Sequence, residues 1–136
     1  MIQRIQSIWL LLAGLFILFT FKHPFYVGTN AAGIGSYELL ANENFIIAAL
    51  TIITGVLALF NIALFKKRKL QLWLCIAGIV LEAILIFLYY KETKTFIIGS
   101  IALWALFHIA AILCFLLAAK GISNDEKLIR DSDRLR

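Results

Sequence analysis

Apolar residues fall into four long runs, at 5–21, 45–65, 70–90 and 96–119, separated by short stretches rich in polar, glycine and basic residues. At about 1.5 Å of rise per residue each run makes a helix roughly 25–35 Å long, a match to a hydrocarbon core of about 30 Å. Four runs with tight connections predict an all-α fold: an integral membrane antiparallel four-helix bundle. What remains is a loop at 22–44, two short connections and a tail at 120–136. A water-soluble domain needs upward of about 50 residues to build its own core, so residues 1–136 read as a single membrane domain.

The connections carry their own signals. Proline cannot continue a helical hydrogen-bond ladder, so the first helix ends near Phe21-Lys22-His23-Pro24. Gly28, Gly33 and Gly35 with Thr29, Asn30 and Ser36 read as an irregular outer loop, and residues 37–41 as a short helical turn or strand on the membrane surface. Asn42 or Asn44 suits the N-cap of the second helix. Gly121 suits the C-cap of the fourth. Ser123-Asn124-Asp125-Glu126 has the form of a capping box, so a separate short amphipathic helix is predicted for the tail, with Leu128, Ile129 and Leu135 on its apolar side. The start is amphipathic too, with Ile2, Ile5 and Trp9 sharing a helical face.

Composition supports the membrane assignment: 62% of residues are hydrophobic, 15% are charged and there is one proline. The formal net charge of +5 is positional and does not signal nucleic-acid binding. Arg4, Lys66, Lys67, Arg68, Lys69, Lys120, Lys127, Arg130, Arg134 and Arg136 lie on one side, leaving only Lys22, Lys91 and Lys94 of the 13 basic residues on the other. The positive-inside rule then places both termini in the cytoplasm. The first apolar run is long enough to span, and the small-residue site at Thr29-Asn30-Ala31 lies well beyond it, so it reads as a retained helix and not as a cleaved signal.

Glu82 and His108 each sit twelve residues into an apolar run. An ionisable group in hydrocarbon is costly, so such residues face the bundle interior and find a partner. Their helices are joined by residues 91–95, and counting outward puts the two at depths about 6 Å apart. They form a candidate intramembrane polar pair, with Trp104 one turn from His108. Asn61 is a further interhelical hydrogen-bonding candidate. Cys75 and Cys114 lie within runs and read as small hydrophobes. No His, Cys, Asp or Glu cluster has metal spacing, His23 included, and no nucleophile–base pair or phosphate-binding loop is evident, so neither cofactor, metal nor enzyme activity is expected.

The opening Met1-Ile2-Gln3-Arg4-Ile5-Gln6, the four runs and the ending Asp125-Glu126-Lys127-Leu128-Ile129-Arg130-Asp131-Ser132-Asp133-Arg134-Leu135-Arg136 resemble a domain-of-unknown-function family. Its members are small four-span inner-membrane proteins of the Bacteroidota. The resemblance covers essentially the whole chain and implies the bacterial inner membrane as its location, with no activity to transfer. Two end motifs on one face imply that the cytoplasmic side meets a partner. The sequence therefore predicts a scaffold or accessory subunit of a larger membrane or envelope assembly. Gln3, Arg4, Gln6, Lys66, Lys67, Arg68, Lys69, Asp125, Glu126, Arg130 and Arg134 would contact lipid or that partner. The alternative is a small proton-coupled transporter using Glu82 and His108.

Overall fold

The computed structural model describes residues 3–134 of the chain, and the side chains of residues 3 and 4 lie outside that description. The chain is mostly helical, with α1 (Gln3–Phe19), α2 (Phe45–Ala63), α3 (Arg68–Thr93) and α4 (Leu106–Arg134). Three strands, β1 (Tyr26–Asn30), β2 (Tyr37–Leu39) and β3 (Phe96–Ile101), form an antiparallel sheet ordered β2-β1-β3 at one end of the helices. Two helices, α2 and α3, are long and apolar enough to cross a membrane. So is α4 with the 3₁₀ turn before it, whereas α1 holds a shorter apolar stretch, Ile5–Phe19.

Each helix packs mainly on two others, α1 and α3 each lying against both α2 and α4. Close pairs run in opposite senses. Gly14 meets Ala58 and Leu59 while Gly55 meets Ile17 and Leu18; Gly78 meets Phe115 while Glu82 meets His108. Small residues allow these close approaches of one helix backbone to the next. The tightest is Gly78, where an added Cβ would lie 2.7 Å from the fully buried Phe115 ring. Leu10, Ala13, Ile17, Ala58, Cys75, Ala111 and Phe115 make the core, while Phe60, Trp73, Phe87 and Leu113 face outward. Apolar residues thus cover the outside of these helices as well as the inside, which fits helices apolar enough to cross a membrane.

Three sequence expectations need correction. First, residues 96–119 do not form one helix. Phe96–Ile101 is strand β3, paired with β1 from Tyr26↔Ile101 to Asn30↔Phe96, and the helix begins at Leu106 after a 3₁₀ turn at Leu103–Ala105. Phe-Ile-Ile-Gly-Ser-Ile is rich in aromatic and β-branched residues, and a short apolar run does not tell strand from helix by hydrophobicity. Second, although the strand anticipated within residues 37–41 is present as β2, the outer loop at 22–44 is not irregular around Gly28 but ordered as a hairpin. Its turn is closed by the Asn30 side chain, whose Oδ1 accepts from Ala32 N and Ile34 N at 3.1 Å, and Gly33 supplies the positive φ of 77°.

Third, Gly121 does not end α4, and no separate tail helix starts at the capping-box sequence. A Cβ on Gly121 would stand 2.9 Å from Gln6 Cγ, so this glycine serves close helix packing and not a cap. Ser123 through Glu126 lie within the continuous helix. Two further local expectations fit the structure. Asn44 caps α2, its side chain accepting from Ile46 N at 2.9 Å, and the connection from Leu64 to Lys67 is a tight hairpin turn.

Candidate functional site

Helices α3 and α4 bring Glu82 and His108 together in the buried interior. His108 Nδ1 lies 2.8 Å from Glu82 Oε2, with both side chains almost wholly inaccessible. The second carboxylate oxygen, Oε1, is buried without a hydrogen-bond partner among the described residues. Aromatic rings close the site toward the sheet. Phe25 stacks on Tyr89 at 4.5 Å and stands edge-on to His108 at 5.7 Å, and Tyr89 lies 5.1 Å from the same imidazole.

The sheet fixes that aromatic cover. Phe25 N donates to Leu39 O, and Phe25 O accepts from Ala102 N, both at 2.9 Å. Phe25 thus links the hairpin, β3's far end and the polar pair. Trp104, one turn from His108 in sequence, packs on His23, their rings stacked at 4.0 Å between centroids. Neither His23's stacking nor the Phe25–Tyr89 cover has a signal in the sequence, because both depend on the sheet bringing distant segments together.

At the opposite, basic end the polar side chains divide into an inward and an outward set. Gln6 Nε2 donates to Asp125 Oδ2 at 2.6 Å, with both residues buried, and Arg68 Nη1 donates to the Asp125 carbonyl at 3.3 Å. These residues tie α1, α3 and α4 to one another. Asn61 and Gln71 join α2 to α3 by reciprocal side-chain bonds to each other's carbonyls at 3.2 Å, and Asn61 Nδ2 also donates to Cys75 Sγ. Lys66, Lys67, Lys69, Arg130 and Arg134 are exposed and Glu126 is half-buried, while the Gln3 and Arg4 side chains lie outside the described residues.

At the sheet end a cavity of about 270 Å³ opens between the hairpin turn, the 37–44 segment and the end of α3. Tyr37 Oη donates to Glu43 Oε2 at 2.5 Å, and Asn44 Nδ2 donates to Glu92 Oε1 at 2.8 Å. The hydrogen bond to Glu43 raises the Tyr37 pKa above that of an ordinary phenol, with desolvation and the nearby charges of Glu43 and Glu92 adding to it. Both carboxylates therefore act on the one hydroxyl. Among the described residues no group of three or more His, Cys, Asp or Glu is placed to hold a metal ion.

Comparison with curated proteins and with solved structures finds no match. A family model described as a domain of unknown function, DUF4293, matches residues 2–135, and the chain belongs to that family.

Proposed function

We propose that the chain is a four-span protein of the bacterial inner membrane in the Bacteroidota, with both termini cytoplasmic, acting without catalysis as an accessory subunit of a larger membrane assembly. The observation that carries this reading is the free end of α4. The apolar run of the helix stops near Ala119, residues up to Glu126 still pack on the bundle with Ile122 and Asp125 buried, and the eight residues from Lys127 to Arg134 extend about 12 Å further at 1.5 Å each. From Lys127 to Arg134 every described residue is exposed, including Leu128 and Ile129. A short helical end gains little stability by itself, so apolar side chains on it are stabilised by being covered.

Exposed Lys66, Lys67 and Lys69 flank that projection at the same end. In the cytoplasmic orientation they meet anionic head groups, each contributing about 1 kcal/mol near the surface. Partner contact then rests on Leu128, Ile129, Arg130 and Arg134, whereas Gln6, Arg68 and Asp125 hold the helices together.

Affinity capture of the tagged chain from a mild detergent tests the proposal. A stoichiometric membrane partner is expected with the unaltered chain, and its loss with Leu128→Glu combined with Ile129→Glu at unchanged thermal stability. Recovery of the chain alone would contradict the reading. A second reading, proton-coupled transport, draws on one specific feature: a buried carboxylate at 2.8 Å from an imidazole with its other oxygen unpartnered.

A further inference from the structure

The cavity at the sheet end has chemistry that neither the cytoplasmic contacts nor the buried pair uses. Its lining includes Glu43 and Glu92 but no lysine or arginine among the described residues. Tyr37 and Phe96 also line it, their ring centroids 5.8 Å apart and tilted by 48°, with Tyr26 edge-on to Phe96 at 5.0 Å. Ala31 and Ala32 form an exposed rim, which leaves the cavity open to entry. Its 270 Å³ exceeds the volume of about 150 Å³ that takes up benzene in an apolar engineered cavity.

We propose that this cavity binds an alkylammonium group, held between the Glu43 and Glu92 carboxylates and against the faces of Tyr37 and Phe96. The hydrogen bonds from Tyr37 and Asn44 each occupy one carboxylate oxygen and fix the orientation of the other. An ammonium carries three separate donors and takes single oxygens from different residues, which suits two carboxylates each half engaged. A guanidinium binds best as a fork on both oxygens of one carboxylate, and here one oxygen of each already accepts a hydrogen bond, so it would have to share that oxygen. A hard dication on two carboxylates would keep several waters, and the Tyr37 and Phe96 rings offer it no oxygen ligand beyond the phenol. Aromatic faces add cation–π attraction to an organic cation.

The ammonium can come from a free diamine or from an ethanolamine lipid head group. The test uses the full chain in nanodiscs of phosphatidylcholine and phosphatidylglycerol, which lack a primary amine. Butane-1,4-diamine is titrated calorimetrically, with butane-1,4-diol as the uncharged control. In parallel, nanodiscs containing phosphatidylethanolamine are analysed for lipid retained on the protein by native mass spectrometry.

Saturable diamine binding with no diol binding identifies a free amine, and selective retention of the ethanolamine lipid identifies a head group; either result supports the site. Glu43→Gln and Glu92→Gln are each expected to weaken binding at least tenfold. Glu43 is exposed, so its replacement leaves the fold intact and is decisive even where Glu92→Gln perturbs α3. Equal binding of diamine and diol would overturn the proposal. So would unchanged affinity in Glu43→Gln, calcium competing as strongly as the diamine, or binding of neither amine source.

Discussion

Replacing Glu82 with alanine is expected to destabilise the folded chain by about 3 kcal/mol, whereas Glu82→Gln changes its stability by less than about 1 kcal/mol. Two effects compete in that comparison. Interhelical hydrogen bonds in membrane proteins contribute about 0.6 kcal/mol on average, because the unfolded helices also find partners in the bilayer. Emptying a fully buried position costs about 2–5 kcal/mol, since the neighbours close the void only in part. The void term is the larger, so side-chain volume dominates the loss in alanine. Glutamine keeps the volume and a hydrogen bond to His108 but removes the ionisable carboxyl group.

Thermal unfolding of the two variants in the same detergent measures this directly. A Glu82→Gln variant that unfolds as readily as Glu82→Ala would show that the carboxylate itself holds the helices together. The same glutamine variant separates the two functional readings. A structural pair leaves pH-driven solute flux in vesicles unaffected, and a proton-coupled transporter loses it.

Gly28→Val is expected to disrupt the sheet, at a cost of about 2–4 kcal/mol. Gly28 and Gly99 are cross-strand partners, and a Cβ on Gly28 would approach the Ile98 carbonyl oxygen and the Gly99 Cα far inside van der Waals contact. Those are backbone atoms, which no rotamer change can move. Loss of β1–β3 pairing also weakens the hold on Phe25, whose carbonyl accepts from Ala102 at the end of β3. Limited proteolysis between residues 26 and 39 should therefore accelerate in this variant. A matching Gly35→Val change, with nothing within 4 Å of the added carbon, should leave it unaltered. Equal cleavage of both variants would show that the close strand approach does not govern the sheet.

The helices were legible in the sequence because burial in or against an apolar medium requires long hydrophobic runs, and those runs are visible one residue at a time. Counting along the α3–α4 connection likewise put Glu82 and His108 on neighbouring helices, and the structure places them at 2.8 Å. The sheet was hidden for the opposite reason. Phe96–Ile101 is apolar enough to extend the fourth run, and its strand character comes from a partner about 70 residues away, at Tyr26–Asn30. The glycines at 28 and 99 look like loop residues until their strands are paired. The tail misled in another way: Gly121 and the capping-box sequence are local signals for a helix break, but packing against Gln6 and the Gln6–Asp125 bond favour one unbroken helix. The cavity with Glu43 and Glu92 follows from the same pairing and had no sequence signature.

The most direct test of the account is labelling with a membrane-impermeant maleimide in intact spheroplasts, on a background of Cys75→Ala and Cys114→Ala. Ile34→Cys, at the exposed hairpin turn, is expected to label rapidly from outside, while Lys67→Cys and Leu128→Cys label only after the membrane is opened. Labelling of Lys67→Cys or Leu128→Cys in sealed spheroplasts would contradict the proposed orientation of the chain, and with it the proposed cytoplasmic assembly surface.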